Sequence, residues 1–393
     1  ARSALSARGM NLVLDFVPNH VAPDHPWTAT RPERFVAGTF DDLREHPESF
    51  VEVAGRVLAN GRDPFFPAWP DIVQLNAFSH DLRGATVELL RTIAELCDGV
   101  RCDMAMLMMN DTFERTWGDR AGPRPRDEYW PTVMAGVRAE HPDFQFIGEA
   151  YWDLEWALQQ QGFDYCYDKR LYDRLLHEDP ESVRLHLCAD DEFQSKLVRF
   201  VENHDEPRMA SLVDDARHAA MAVTTFTQNG ARLYHDGQDE GRRVRLPVFL
   251  GRYPDEPGDD ALVGWYRRLW DALADPVFRT GRWQLCERSG WEGNDRYTNL
   301  VAWCWDGAHR YVVVVNLSDE PAAAHVRVPW DDVRGATLRL HDASDGNEYE
   351  RTGDALRDGM YVQLDGWGWH LFRVEHARDA DGRVGTANER EGT

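Results

Sequence analysis

Short apolar runs that end in polar or acidic side chains limit the fold of this chain more than any other feature. The runs and the acids that follow them are 10–17, 99–102 before Asp103, 144–148 before Glu149, and 200–201 before the polar stretch that holds Asp205. Short, uninterrupted apolar runs are typical of strands buried on both faces, as in parallel sheets. In a closed barrel of parallel strands, the side chains at the carboxyl ends face one common opening. The pattern therefore predicts parallel strands with three carboxylates at the mouth of a barrel.

Four sequence blocks in this order resemble those of the α-amylase family of retaining glycoside hydrolases and transglycosidases. The blocks are DFVPNH at 15–20, GVRCD at 99–103, GEAYW at 148–152 and ENHDEPR at 202–208, with a weaker fifth, GARLYHDGQ, at 230–238. Each block alone is short, whereas the ordered set is a strong signal. The resemblance implies a (β/α)8 TIM barrel that acts on α-glucosidic bonds, with a C-terminal antiparallel β-sandwich.

Two of the carboxylates suit the chemistry that the resemblance implies. Retention at an anomeric carbon takes two carboxyl groups about 5 to 5.5 Å apart, one ionised as nucleophile and one protonated as acid. Arg101 lies two residues before Asp103 on one strand, so both face the same side, and the guanidinium favours an ionised Asp103. Glu149 is followed by Ala150, Tyr151 and Trp152, surroundings expected to raise its pKa. We therefore expect Asp103 to be the nucleophile and Glu149 the acid/base.

The resemblance also implies residues that bind the sugar. Asp205 corresponds to a third acid that hydrogen-bonds the sugar hydroxyls, and His20 and His204 correspond to histidines that contact the same sugar. Trp152 is a candidate for the cleft wall, because an indole face stacks on a pyranose. Asp15 is left open, as a functional or a structural acid.

The chain departs from the family pattern after Asp103. Many α-amylases carry a Lys-His pair at the positions of Met106 and Leu107, where it binds long glucans and helps to hold calcium. We therefore expect a preference for short α-glucosides or maltooligosaccharides. No cofactor is expected to be required, and calcium is possible because Asn19 matches one family ligand position.

The resemblance predicts three regions. Residues 1–276 form a partial catalytic barrel with an inserted segment at 21–75, residues 277–376 form the β-sandwich, and 377–393 form a disordered tail. The strand at 10–17 corresponds to the family's third barrel strand, so the first two βα units are expected to be missing from this chain. A barrel cannot close without them, because strand number, tilt and shear are linked.

Periodicity predicts the remaining elements. Helices are expected at 1–8, 81–96, 130–140, 208–226 and 259–274, and strands at 163–167, 197–202 and 231–235. The stripe Leu82, Val87, Leu90, Ile93 and Leu96 should form the buried face of the second helix.

Composition narrows the class of protein. The chain has 68 acidic against 44 basic residues, a net charge of −24, which argues against a nucleic-acid partner. A solvated surface explains the acidity, and a halophilic host is the alternative. No apolar run is long enough to cross a membrane. The six cysteines include no C-x-x-C pair and are interpreted as reduced core thiols, which favours a cytoplasmic location. Nothing indicates the oligomeric state.

Three functions remain open from the sequence. The first is hydrolysis of α-glucosidic bonds through a covalent glycosyl-enzyme, with an oligosaccharide as the substrate. The second is transfer of a glucosyl or maltosyl group to a sugar acceptor through the same intermediate. The third is a non-catalytic carbohydrate-binding or scaffold homologue, which the intact set of three acids argues against.

Overall fold

The computed structural model describes residues 1–247, 251–252 and 254–377. The chain divides by its packing into two compact units, Ala1–Tyr167 and the part from Asp168 onward. The predicted disordered tail lies outside the described residues, except for its first residue at 377.

The first unit mixes parallel strands, helices and an antiparallel insertion. Its elements in chain order are α1 (Arg2–Ser6), β1 (Val13–Phe16), β2 (His20–Val21), α2 (Pro26–Thr30), α3 (Phe40–Glu45), β3 (Phe50–Val53), β4 (Arg56–Gly61), β5 (Trp69–Gln74), α4 (His80–Ala94), β6 (Gly99–Cys102), α5 (Asn110–Trp117), α6 (Tyr129–Arg138), β7 (Gln145–Gly148), α7 (Glu155–Gln160) and β8 (Tyr165–Tyr167), with 3-10 turns at Pro32–Arg34, Ala105–Met108 and Gly118–Ala121.

Four of these strands form a parallel sheet in the order β1-β6-β7-β8. All four residues of β6 are buried, as expected for a central parallel strand. Gly99 begins β6 because a Cβ there would lie 2.8 Å from the backbone oxygen of Gln145 on β7. The predicted strand ends are confirmed, since β6 stops directly before Asp103 and β7 directly before Glu149.

Helix α4 confirms the predicted helix but not all of its buried stripe. Leu82 and Leu90 are fully buried, and Ser79 caps the N-terminus by accepting from the Leu82 N–H at 3.3 Å. Leu96 is 62% exposed, so its place in the stripe was wrong. The reason is that the helix ends at Ala94, two residues before it.

The segment predicted as an insertion contains ordered secondary structure. Its strands form an antiparallel sheet in the order β2-β5-β4-β3. Helix α3 begins with a capping box in which Thr39 and Asp42 satisfy each other's backbone N–H groups. The irregular sequence hid these strands because they are short and interrupted by Pro and Gly.

The second unit begins with helices and two parallel strands and continues into antiparallel sheets. Its elements in chain order are α8 (Lys169–His177), α9 (Pro180–His186), α10 (Asp191–Ser195), β9 (Leu197–Arg199), α11 (Met209–Leu212), α12 (Asp215–Phe226), β10 (Ala231–Arg232), α13 (Asp260–Leu273), α14 (Val277–Thr280), β11 (Arg282–Leu285), β12 (Glu287–Ser289), β13 (Leu300–Asp306), β14 (Arg310–Asn316), β15 (Ala322–Arg327), β16 (Thr337–Asp342), β17 (Glu348–Thr352), α15 (Gly353–Gly359), β18 (Met360–Leu364) and β19 (Trp369–His376), with a 3-10 turn at Asp295–Asn299.

The helix predicted over 208–226 is two helices. Val213 adopts an extended conformation that ends α11, and Asp214 then caps α12 by accepting from the Arg217 N–H at 2.9 Å. An aspartate at this position satisfies a free N–H of a new helix, which favours the break.

The C-terminal part confirms the predicted antiparallel β-sandwich. One sheet has the order β11-β13-β14-β19-β16-β17 and the other β12-β15-β18. Alternate residues of β18 are buried and exposed, so one face of the smaller sheet packs on the core and the other faces solvent. The two indoles of Trp303 and Trp305 donate to Thr227 at 3.1 and 2.8 Å, so the sandwich packs with α12 in the second unit. The proposed boundary at 276/277 stays a prediction.

The cysteines agree in part with the interpretation as core thiols. None of the six, all within the described residues, forms a disulfide, and five are buried. Cys188 is exposed, so that interpretation was wrong for this residue. No helix in the described part of the chain combines the length and apolar character needed to span a membrane.

Candidate active site

One guanidinium joins the carboxylates at the ends of three neighbouring strands. Arg101 lies on β6, and its Nη1 is 2.9 Å from Oδ1 of Asp103 and 2.9 Å from Oδ1 of Asp15 on β1. Its Nη2 is 2.8 Å from Oε2 of Glu149, which directly follows β7. The two predicted catalytic carboxylates are therefore brought together around a buried cation.

The charge of Arg101 is secured by these neighbours. Burial opposes the charged guanidinium, but Glu149, Tyr167, Asp15 and Asp103 together outweigh burial and raise the pKa of Arg101. The Tyr167 ring also lies 5.6 Å from the guanidinium carbon. Arg101 is thus a fixed positive charge between the two candidate catalytic acids.

Glu149 is buried and fully hydrogen-bonded. Burial raises the pKa of its carboxyl, and this effect outweighs the opposing influence of Arg101. Oε2 accepts from the Met104 N–H at 2.6 Å, and Oε1 accepts from the Tyr151 hydroxyl at 2.8 Å. The expected direction of the pKa shift is confirmed, although Tyr151 contributes in the opposite sense, by favouring the ionised form.

The turn after Asp103 is held in a strained conformation. Met104 has φ 43° and ψ 47°, a left-handed backbone that is unusual for a side chain of this kind. This conformation lets its N–H reach Glu149, while the next N–H, from Ala105, donates to the Glu149 backbone oxygen at 3.1 Å. Strain of this kind persists where surrounding contacts fix it, which is common at functional sites.

His20 and Trp152, two predicted sugar contacts, each pack against another aromatic ring. Burial lowers the pKa of His20, and the charge of Asp103 acts in the opposite direction. The His20 ring lies 5.6 Å from that of Trp69 on β5. Trp152, with φ 62°, packs its ring 4.8 Å from that of Phe65, which is 60% exposed.

Asp205 and His204 lie together in the second unit. His204 Nε2 is 3.0 Å from Oδ2 of Asp205, and both side chains are partly exposed. The backbone N–H of Asp205 donates to Asn203 at 2.9 Å, and so does that of Glu206, at 3.0 Å. Their predicted contact with the substrate stays a prediction.

A buried brace holds the two ends of the loop that carries these residues. Glu202 accepts from Arg208 at 2.6 Å and from the Met209 N–H at 2.6 Å, and it lies 3.1 Å from His235. Burial would raise the pKa of Glu202, but the hydrogen bonds from His235, Met209 and Arg208 outweigh burial and lower it. The sequence analysis did not assign this brace.

Comparison with known proteins finds similar sequences and a similar solved structure. The α-amylase MalA of Haloarcula japonica is 28% identical over 267 residues, which cover 63% of this chain and 34% of MalA. The α-1,4-glucan:maltose-1-phosphate maltosyltransferase of Pseudomonas aeruginosa is 26% identical over 148 residues, or 38% of this chain and 18% of that protein. A solved structure of a noncanonic maltogenic α-amylase, AmyB from Thermotoga neapolitana, matches with a TM-score of 0.66 at 19% identity, covering 94% of this chain and 78% of AmyB. No family model matches the chain.

The chain resembles α-amylases in sequence. Its fold is the TIM-barrel type with a C-terminal antiparallel β-sandwich. The chain spans about a third of the length of MalA. Six parallel strands lie in the described part of the chain, four in the first unit and two in the second.

The positions that the resemblance relates to glucan and calcium binding, Met106, Leu107 and Asn19, are all buried. Met106 and Leu107 are buried in the 3-10 turn that follows Met104, so neither side chain is available to a ligand. Asn19 is also buried, and its side-chain oxygen accepts from Gln74 at 2.8 Å while its amide donates to Gln74 at 3.2 Å.

Asn19 therefore does not fit the predicted role of calcium ligand. Calcium takes six to eight oxygen ligands, many of them carboxylates. Among the described residues, no group of three or more His, Cys, Asp or Glu side chains could hold a metal ion. The calcium site stays a prediction that these residues do not support.

Sequence reasoning missed the groups that surround Glu149. Tyr151 lies two residues after Glu149, the same spacing that suggested the pair Arg101 and Asp103, so its contact could have been anticipated. The contribution of the Met104 N–H could not, because it depends on a left-handed backbone that the sequence does not indicate.

Proposed function

We propose that the chain is a retaining glycoside hydrolase that cleaves α-glucosidic bonds in short α-glucosides or maltooligosaccharides. The observation that carries the proposal is the pairing of Asp103 and Glu149 with one buried guanidinium. Retention needs two close carboxyl groups in opposite protonation states. The pairing places them close together, and burial biases Glu149 toward the protonated state.

In this proposal Asp103 is the nucleophile. Its carboxylate oxygen bonds to the anomeric carbon as the bond from that carbon to the leaving oxygen breaks, which forms a glycosyl ester. Arg101 holds the attacking carboxylate in place at 2.9 Å. Water then attacks the same carbon, releases Asp103, and gives the product in the α configuration.

Glu149 supplies the proton to the leaving oxygen and later takes one from the attacking water. Oε2 receives two contacts, from the Met104 N–H and from Arg101, which occupy its lone pairs. The transferable proton is therefore assigned to Oε1, beside the Tyr151 hydroxyl.

The remaining site residues complete the proposal. Asp205 is proposed as the third acid, and His204 and His20 as sugar contacts, on the strength of their sequence blocks. Trp152 is proposed as a stacking surface, which its ring contact with the exposed Phe65 supports. Calcium dependence and a cytoplasmic location remain part of the prediction from sequence and gain no support from these contacts.

The test separates the two catalytic roles by the choice of leaving group. Fluoride leaves without a proton, so α-glucosyl fluoride needs the nucleophile but not the acid. We expect Glu149→Gln to lose about 10² to 10⁴ in kcat on a maltooligosaccharide. On α-glucosyl fluoride it should keep a fast first release of fluoride, measured as a pre-steady-state burst, while later turnovers are slow because hydrolysis of the glycosyl ester still needs Glu149 as the base. Asp103→Asn should lose both activities.

The matched control is Asp143→Asn, an exposed acid at the opposite end of the strand that precedes Glu149. It should retain both activities. The anomer released first, followed by NMR, should be α. A Glu149→Gln enzyme that keeps full activity on the maltooligosaccharide, or a β-anomer released first, would contradict the assignment.

A glucosyl or maltosyl transferase is the second candidate, favoured by the similarity to the maltosyltransferase. Both reactions share the glycosyl ester and differ in whether water or a sugar hydroxyl attacks it. Incubation with maltotriose distinguishes them, since a hydrolase releases mainly shorter products and a transferase also makes longer ones. A chain that acts neither on maltotriose nor on α-glucosyl fluoride would favour the non-catalytic homologue.

A further inference from the structure

Three aromatic rings are displayed on the solvent face of the smaller sheet of the sandwich. Trp291 is 47% exposed and Tyr361 is 50% exposed. Their ring centroids lie 6.0 Å apart with an interplanar angle of 33°. His325 lies between them, 5.5 Å from Trp291 and 6.1 Å from Tyr361. We call these three residues the sandwich ring cluster.

The position of the cluster follows from the strand register. His325 on β15 is directly opposite Tyr361 on β18 and Ser289 on β12. Their neighbours along β15 and β18, Val326 and Val362, are buried in the sandwich core. The cluster therefore occupies the outward face of the sheet, where polar residues would be expected.

Close packing and hydrogen bonds fix the loop that carries Trp291. Gly290 has no room for a side chain, since a Cβ would lie 2.5 Å from the Tyr297 ring and 2.6 Å from the Asn294 backbone oxygen. The Asn294 amide donates to the Ala323 backbone oxygen on β15 at 2.8 Å. The Asn294 N–H donates to the Trp291 backbone oxygen at 2.9 Å. These contacts hold a large apolar side chain over the sheet, although burying it would stabilise the fold.

Hydrogen-bonding groups surround the rings. The Tyr361 hydroxyl donates to Gln363 Oε1 at 2.8 Å, which leaves the amide nitrogen of Gln363 as a donor on the exposed face. Two residues after His325 on β15, Arg327 forms an ion pair with Glu287 at 2.8 Å. The edge of the cluster therefore carries one positive and one negative charge. The surface thus combines apolar ring faces with polar groups and has no dominant charge.

We propose that the sandwich ring cluster is a second carbohydrate-binding site that takes a pyranose ring of an α-glucan. A pyranose has an apolar face that packs on an aromatic ring and hydroxyls around its edge that need hydrogen-bond partners. The ring pair and the Gln363 amide offer both. The choice of α-glucan as the sugar rests on the proposed function, whereas the presence of a sugar site rests on the cluster itself.

A protein partner fits this surface less well. Stable protein interfaces bury roughly 1,200 Å² or more in total and have an apolar centre. Three rings bordered by an Arg–Glu pair form a small surface, of the size that one or two sugar units cover. A second copy of the chain is the competing occupant, and the experiment includes it as an outcome.

The experiment uses the whole chain and β-cyclodextrin, a ring of α-linked glucose without ends, titrated by isothermal calorimetry. We expect Trp291→Ala and Tyr361→Ala each to weaken one binding component about tenfold, which corresponds to about 1.4 kcal/mol per aromatic contact. Phe40→Ala, which removes a 59% exposed aromatic ring in the first unit, is the matched control and should bind as the unmodified chain does.

Two further measurements make the outcome decisive. Turnover of a short chromogenic α-glucoside should be unchanged in Trp291→Ala, and circular dichroism should show that both variants fold. Unchanged cyclodextrin affinity in both variants would overturn the proposal. So would a concentration-dependent dimer that Trp291→Ala abolishes, because the cluster would then be a subunit contact. A chain that binds cyclodextrin through the cluster but hydrolyses nothing would refute only the proposed function.

Discussion

Replacing Arg101 by methionine should make the stability of the protein depend on pH through Glu149. The guanidinium is in contact with Asp15, Asp103 and Glu149, and its side chain is 10% exposed. Removing one partner from a buried ion pair costs roughly 3 to 5 kcal/mol, because the remaining charge is left without compensation. Typical domains are stable by about 5 to 15 kcal/mol, so the variant should fold where Glu149 is protonated.

The sign follows from proton binding. The folded-state pKa of Glu149 is raised by burial, so the folded state binds more protons than the unfolded state above the ordinary value of 4.5. The contribution of Glu149 to the free energy of unfolding therefore falls as the pH rises from 4.5 through the raised pKa of the folded state. Arg101 acts to lower the pKa of Glu149, so the Arg101→Met variant should have a higher Glu149 pKa and should lose stability over a pH range that extends further upward. The destabilisation by Arg101→Met should be small near pH 4.5 and largest near pH 8.

Urea denaturation followed by fluorescence, at pH values between 4.5 and 8, measures this dependence without requiring activity. The double variant Arg101→Met with Glu149→Gln should lose most of the extra pH dependence, because glutamine does not ionise. Arg91→Met is a control, since Arg91 is a partly exposed arginine on α4 that pairs with two exposed acids. A loss of stability that is equal at all pH values, or that persists in the double variant, would refute the reasoning.

Three further predictions concern Tyr151, Glu202 and the turn after Asp103. Tyr151→Phe removes a hydrogen bond that favours ionised Glu149, so the alkaline limb of the kcat/KM profile should move to higher pH, and a shift to lower pH would contradict this role. Glu202→Gln should destabilise the protein by about 3 to 5 kcal/mol in urea because it leaves buried Arg208 without its charge partner, whereas Glu192→Gln, on the surface, should change the midpoint little. Because the Met106 and Leu107 side chains after Asp103 are apolar and buried, the proposed enzyme should have its highest kcat/KM on short maltooligosaccharides, and a steady rise from maltose to soluble starch would contradict this expectation.

The strand ends could be predicted from sequence because burial on both faces leaves a strong pattern. Strand β6, buried throughout, and strand β7, whose residues are alternately half-buried and buried, each stop directly before the acid. The antiparallel sandwich was expected from the resemblance, and strand β18 has the alternating burial that is typical of such a sheet. The split between α11 and α12 was not, since a short extended break at Val213 does not disturb the helical spacing on either side.

The site was predictable where it depends on position along a strand and not where it depends on the path of the backbone. The contact of Arg101 with Asp103 follows from a spacing of two residues. The contact of the Met104 N–H with Glu149 needs a left-handed residue, which no local sequence signal near Met104 indicates. The hydrogen bonds between Asn19 and Gln74 join residues 55 positions apart in the chain, so no local sequence pattern could predict them.

The balance of charge and burial at Glu149 explains why its pKa is raised although the carboxyl lies beside an arginine. A guanidinium 2.8 Å away favours the ionised carboxylate, and so do the hydrogen bonds from Met104 and Tyr151. Burial opposes all three and prevails, so the pKa of Glu149 is raised. The same arginine is in contact with Asp103, whose side chain is 24% exposed against 3% for Glu149. The burial of Glu149, rather than its distance from Arg101, therefore sets the direction of its pKa shift.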